Sequence, residues 1–363
     1  MISGAYYETV YLVILALITL FQSNRYLTAN GKLLDYRPQD GLTAPLLLIL
    51  FLTFWIGLRP NWFGFTDSRN YIRVIEYLEG GSFEFQFDTD NILFDNLLTW
   101  FACNSLGWSN FFLVIASIYF GGILIACRKM FPRDTMYAVL IYLAAFSTFS
   151  YATNGIKAGA AASLFLVALA YRDKKWVSYL FLALSYGFHH SMLVPIVAYV
   201  VVSLIKNPKY YLWVWCGALL MSALHITFFQ VLFAGLTDEQ GAGYLAFDQN
   251  DETLYLTGFR FDFIIYSAMP VILGYYLIFK KHLQSERYNF IYNLYVLVNS
   301  VWLLCMYANF TNRIAYLSWQ LLPIVLIYPF LKERVSPSQY KIVASIALLH
   351  LGFTLFMKFV YYW

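Results

Sequence analysis

Two adjacent histidines, His189 and His190, interrupt an almost wholly apolar run at "GFHHS". Imidazole is the side chain whose ordinary pKa lies nearest neutrality. A histidine can therefore take a proton from a hydroxyl at physiological pH. The plainer reading is a polar pair satisfied within a helix turn. Zinc has no support, because no other His, Cys or paired carboxylate stands at ligand spacing. His225, His282 and His350 are isolated and read as structural. Asp67 in "TDSRNY" is a further candidate base, although Thr66 or Asp67 could simply start the helix that carries Tyr71.

Cations come next. Four stand near apolar run ends: Arg59 in "GLRPNW", Lys157 in "TNGIKAG", Arg260 in "GFRFDF" and Arg313 in "TNRIAY". If those ends converge, they form a basic pocket suited to a phosphate or pyrophosphate. The alternative for each is capping a helix or pairing with a nearby acid such as Asp262. Arg69 and Arg73 lie one helical turn apart, and Arg73 fits a solvated face with Glu76. Lys358 fits snorkelling at a helix end.

The elements that must position these groups follow from composition. The chain has 363 residues, is 61% hydrophobic and only 12% charged, where a soluble domain carries about 25% charge. Mean hydropathy is +0.60. Several runs reach the roughly 20 apolar residues that cross a bilayer. The chain therefore reads as an all-α polytopic membrane protein, a single integral membrane domain over 1–363. The four cysteines lie in or beside apolar segments and read as packing thiols. The first span lacks a basic leader and a cleavage site, so it reads as a retained helix. There is no Walker motif, no GxSxG and no dinucleotide fingerprint, so nucleotide chemistry and nucleic-acid partners have no support.

Charge sets the topology. All but seven of the 24 Lys+Arg cluster in six short loops, which the positive-inside rule places in the cytoplasm. The opposite loops are acidic: 59–107, an outer loop with amphipathic helices, and 235–259. This predicts about twelve spans with both termini outside: 5–22, 42–58, 109–127, 135–152, 155–171, 175–188, 191–205, 210–234, 260–279, 288–307, 313–331 and 340–361. Lys174/Lys175 and Lys206/Lys209 belong on one side, so 175–205 is expected to be a short-armed helical hairpin with the histidines at its outer apex. Segment 91–107 is apolar but cannot cross without moving Arg128 and Lys129 outside. It reads as an amphipathic or re-entrant outer helix.

"GLRPNWFGFTDSRNY", "NGIKAGAAASLFLVAL", "GFHHSML" and "NRIAYLSWQLLPI" resemble, in this order, the blocks of EpsG-like proteins, a branch of the Wzy-type polysaccharide polymerases. Lys157 and Ala158 stand where that family usually has Arg and Gln. Lys is a point charge and lacks the bidentate fork. The resemblance implies transfer of a growing glycan from a polyprenyl pyrophosphate to the terminal sugar of a lipid-linked repeat unit. That would occur at the outer face of the bacterial inner (cytoplasmic) membrane, without a cofactor or metal.

On that reading Arg59, Lys157, Arg260 and Arg313 would hold pyrophosphate, with Asn154 and Tyr71 binding substrate. His189, His190 and Asp67 are the candidate bases. Trp62, Phe63, Tyr71, Phe83, Phe85 and Phe87 could stack on sugars, pack or anchor at the interface. The partners implied are polyprenyl-pyrophosphate-linked glycans and membrane lipids, with room for a chain-length regulator and a flippase. The rival readings are a lipid-linked oligosaccharide flippase, expected to show broken helices, mid-membrane charges and a repeat, and a sugar O-acyltransferase.

Overall fold

The structure is a computed structural model that describes residues 3–28, 41–230, 258–308, 311–333 and 335–361. Among them every regular element is helical. The chain is a multi-pass membrane protein. The acidic segment 235–259, apart from its last two residues, and Lys32, Arg37 and Arg334 lie outside the described residues.

The helices are α1 (Tyr7–Leu27), α2 (Thr43–Gly57), α3 (Thr66–Tyr77), α4 (Ile92–Cys103), α5 (Trp108–Met130), α6 (Thr135–Leu143), α7 (Thr148–Thr153) and α8 (Ile156–Ala170). There follow α9 (Lys175–Phe188), α10 (Leu193–Leu204), α11 (Pro208–Ala223), α12 (Phe261–Tyr275), α13 (Glu286–Leu304), α14 (Thr311–Trp319), α15 (Leu322–Lys332) and α16 (Gln339–Phe356). As far as they are described, the expected segments contain apolar helices; residues 231–234 of the segment 210–234 lie outside the described residues. Among the described residues five helical runs are long and apolar enough to cross a membrane by length and composition: Gly4–Leu27, Trp108–Met130, Phe261–Lys280, Thr311–Lys332 and Gln339–Tyr361. Others are short. The 14 residues of α9 rise about 21 Å at ~1.5 Å per residue, less than the roughly 30 Å hydrocarbon core.

The expected span 135–152 is interrupted between α6 and α7. The freed carbonyls are satisfied by side chains: Tyr11 donates to Leu143 O at 2.6 Å, Thr354 to Ala144 O at 2.7 Å and Thr148 to Tyr142 O at 2.8 Å. Without water, a broken span survives only if its backbone groups find such partners. The late run Thr311–Lys332 carries a two-residue turn at Gln320 and Leu321, between α14 and α15.

The residues group into two compact units, Met1–His189 with Phe330–Trp363, and His190–Pro329. In the first unit α8 packs on α5, α7 and α9, and α4 lies on α3, α5 and α9. Gly159 has a packing reason to lack a side chain: a Cβ there would sit 2.5 Å from the Tyr151 carbonyl. Its absence lets α7 lie against the first turns of α8. In the second unit α13 is the hub, contacted by α10, α11, α12 and α14. Trp215 donates to Asn299 at 2.8 Å, Asn299 to Ser318 at 3.0 Å and Trp319 to Ser267 at 2.7 Å. These bonds satisfy polar groups that would be costly if left unpaired in an apolar interior.

Candidate functional site

Arg59 follows the last turn of α2 and is only 2% exposed. Nη1 donates to Ile56 O at 2.9 Å, and Nη2 donates to Ser68 Oγ at 2.6 Å and to Thr153 O at 3.4 Å. Ser68 Oγ in turn donates to Thr153 O. The guanidinium lies 4.1 Å from the Phe112 ring centroid and 5.8 Å from that of Phe65. Burial pulls its pKa down to about 9, partly offset by Tyr7, so it stays cationic at neutral pH. Arg59 is thus a buried clamp. It ties α2 to the first turn of α3 and to the end of α7.

Thr153 leads into Asn154 and Gly155, which open α8. Lys157 is the second residue of α8 and is half-buried. Among the described residues no hydrogen bond or ion pair engages its ammonium. A lysine here opposes the helix dipole, which favours anions at this end. Asn154 Oδ1 is buried with no hydrogen-bond partner.

The far side of the site follows from helix register. Ser178 donates to Ala168 O at 2.9 Å and Ser185 to Ala161 O at 2.7 Å. α8 and α9 are therefore antiparallel, each bond seven residues from the next. Four residues further on, the same register sets His189 level with Lys157. His189 is extended, at φ −154° and ψ 121°, and its N–H donates to Ser185 O at 3.1 Å. His190–Met192 form a single 3-10 turn that begins the second unit.

Two more contacts close the ring. Leu93, in the first turn of α4, fills the space beside Gly187, where a Cβ would meet its Cγ and Cδ1 at 2.7 Å. Phe94 meets Tyr71 edge-on, with ring centroids 5.2 Å apart. Tyr71 lies on α3 one turn after Asp67 and Ser68. Asp67 is the second residue of α3 and half-buried; Phe65, not Thr66 or Asp67, occupies the N-cap position.

Around one ring the first unit thus gathers Asp67, Tyr71, Asn154, Lys157 and His189, with Arg59 behind them. The starts of α3, α4 and α8 belong to the elements linked in this ring, and none has a side-chain cap hydrogen bond. Helix N-termini carry exposed N–H donors and about half a positive charge each. Lys157 adds to this positive charge, and Asp67 and Asp95 in the first turns of α3 and α4 offset part of it. Sequence reading missed Ser68, Thr153 and the first turn of α4. The only signal for them was adjacency to residues already singled out.

Arg260, Arg313 and His190 belong to the second unit. Arg260 is the N-cap residue of α12, forks onto Asp262 through Nε at 2.9 Å and Nη2 at 2.5 Å, and lies 3.8 Å from the Phe263 ring centroid. That is the acid pairing named as its alternative role. Arg313 is exposed in the first turn of α14. Tyr295 donates to Ser267 O at 2.8 Å and Tyr292 to Val271 O at 3.4 Å, so α13 runs antiparallel to α12. At the end where α13 finishes, Trp302 donates to Thr311 at 3.0 Å. Arg260 and Arg313 therefore share one end of this unit. Among the described residues no three His, Cys, Asp or Glu gather as metal ligands.

A family model described as the EpsG family matches residues 44–363. No curated protein and no solved structure matches the chain.

Proposed function

The chain belongs to the EpsG family, and on that footing we propose that it is a polysaccharide polymerase acting on polyprenyl-pyrophosphate-linked glycans at the outer face of the bacterial inner membrane. The observation that carries the reading is the ring in the first unit. Three uncapped helix starts and Lys157 offer positive charge, and His189 stands level with that lysine. Pyrophosphate is the leaving group that needs such positioned charge, as an oxyanion needs donors.

The acceptor hydroxyl attacks the anomeric carbon of the donor glycan. A C–O bond to the acceptor forms, and the C–O bond to pyrophosphate breaks. The hydroxyl proton goes to His189, and the leaving oxygen's charge is met by Lys157 and the helix N–H groups. Asp67 orients the histidine or the acceptor sugar, with Asn154 and Tyr71 as further substrate contacts. His190 and Asp67 remain the alternative bases. Donor and acceptor each carry a pyrophosphate, so a second anion site is required. Arg313 and Arg260, at one end of the second unit, are assigned to it. The clustering of Lys and Arg in alternate loops supports an outward-facing site.

The two interrupted helices, α6–α7 and α14–α15, favour a second reading, a lipid-linked oligosaccharide flippase. The polar groups buried beside those breaks are neutral ones such as Asn299 and Gln320, which speaks against ion-coupled transport. The glycans of cells lacking the protein separate the two readings. Loss of long chains with the one-repeat product retained is the polymerase outcome, and loss of every repeat is the flippase outcome.

A further inference from the structure

Between α3 and α4 the chain forms a strap whose sequence alternates as "SFEFQFD" over 82–88. Phe83, Phe85 and Phe87 are 38%, 46% and 80% exposed. Phe85 and Phe87, two residues apart, bring their ring centroids to 4.8 Å and so share a side. The same spacing sets Phe83 with them and Glu84, Gln86 and Asp88 opposite. The strap is pinned at its middle. Gln86 N–H donates to Asn96 Oδ1 at 2.7 Å, and Asn96 Nδ2 donates back to Gln86 O at 2.7 Å and to Ile92 O at 2.7 Å. Asn96 is 6% exposed, so the clamp is built into α4.

We propose that this strap is a lipid contact, with its phenylalanines inserted at the headgroup–acyl boundary of the outer leaflet and its carboxylates turned to water. Three exposed rings on one pinned segment would be a liability in solvent. The apolar phase that a membrane protein has beside it is the bilayer, and Phe on the apolar side of an amphipathic segment buries at its headgroup–acyl boundary. Among the described residues the backbone of 82–88 makes no backbone–backbone hydrogen bond. Apart from those of Gln86, which Asn96 satisfies, these N–H and C=O groups need water, which rules out hydrocarbon depth and fits the interface. Glu84 and Asp88 on the other side suit a zwitterionic surface and are repelled by an anionic one.

The strap runs directly through Thr89–Asn91 into the first turn of α4, which forms part of the ring. If the ring holds a lipid-borne pyrophosphate, as proposed above, the strap sets that turn at the depth where lipid phosphates lie.

The test reads depth and not catalysis, so it is independent of the glycosyl-transfer reading. Cysteines are placed singly at 83 to 88 in protein lacking Cys103, Cys127, Cys216 and Cys305, spin-labelled, and reconstituted into phosphatidylcholine liposomes. Collision with oxygen, which partitions into lipid, is compared with collision with an aqueous nickel chelate. Oxygen preference at Phe83→Cys, Phe85→Cys and Phe87→Cys, alternating with nickel preference at Glu84→Cys, Gln86→Cys and Asp88→Cys, is the expected pattern. Nickel preference at all six would place the strap in solvent. Protection from both reagents would mean that protein covers it. Either result overturns the proposal.

Discussion

Arg59 donates to Ser68 at 2.6 Å, a bond within the block of sequence that also carries Asp67 and Tyr71. Ser68 passes the link to Thr153, one residue before Asn154. A guanidinium that is 2% exposed and bonded to three protein oxygens is framework first. Arg59→Ala would leave a cavity and unpaired buried acceptors, a loss of about 3 kcal/mol or more. The expected result is a lower melting temperature in detergent and less protein in the membrane. Arg59→Lys keeps the charge but not the fork, and should fall in between. An Arg59→Ala protein that melts like wild type yet makes no polymer would instead put Arg59 in contact with substrate.

Lys157 makes the opposite prediction. It sits in the first turn of α8, where a cation opposes the dipole by roughly 0.3–1 kcal/mol. Removing it should leave stability unchanged or slightly raised. If it holds pyrophosphate, Lys157→Gln should cut polymerisation by roughly a hundredfold, the scale seen when one donor to a developing anion is lost. Lys157→Arg should stay active, since charge and reach are kept. Thermal melts and polymer yield from the same preparations decide it. A Lys157→Gln protein that loses stability and activity together would make the lysine structural.

Much of this arrangement was legible in the sequence, and the rest was hidden for physical reasons. The ends of α9 at Lys175 and Phe188 follow from basic residues at one end and the "GFHHS" turn at the other. The helix Thr66–Tyr77 was expected from the sequence over 67–79. The burial of Arg59 was not legible, because its ring partner Phe112 lies on another helix far along the chain. Nor was the break after Leu143. No proline or glycine marks it, and the bonds that sustain it come from Tyr11 and Thr354. The pairing of Arg260 with Asp262 stood in the sequence as an alternative to ligand binding.

Topology can be checked without any substrate. In a background lacking the native cysteines, Ser191→Cys should react with an impermeant thiol reagent from outside. Asn207→Cys should not. Asn207 caps α11 through its side chain, accepting from the Lys209 N–H at 3.1 Å, between two lysines that belong on the cytoplasmic side. Outside labelling of Asn207→Cys would reverse the orientation and move the proposed site to the wrong face.

Arg313 tests the second anion site. Its exposure in the first turn of α14 means that Arg313→Ala should not reduce the amount of folded protein, since surface changes usually stay within about 0.5 kcal/mol. Polymer should nonetheless be lost. Arg260→Ala should behave differently, because it strips Asp262 of its fork at 2.5 Å and 2.9 Å and leaves a mostly buried carboxylate. A drop in melting temperature is expected there, rescued by adding Asp262→Asn. Normal chain growth in the Arg313→Ala strain would remove this residue from the substrate site.

His189 carries the sharpest prediction. Its backbone is fixed by the bond from its N–H to Ser185 O, and Ser185 is fixed by its own bond to Ala161 O. The His189 backbone is thus held level with Lys157 by two packed helices and not by a loose loop, as positioning a reacting group requires. His189→Gln keeps size and polarity but cannot accept and carry a proton. The rate of joining two lipid-linked repeat units should fall roughly a hundredfold or more, the usual scale of general acid–base catalysis, while donor binding persists. His190→Gln should be milder, because that residue lies in the 3-10 turn, beyond the register that sets His189 level with Lys157. The decisive measurement is dimer formation by purified protein across a range of pH. A base that must be neutral should give wild type a rate that falls on the acid side, and His189→Gln should lose that limb. Wild-type activity in His189→Gln with an inactive Asp67→Asn would move the base to Asp67, which stands in the first turn of α3 on the same ring.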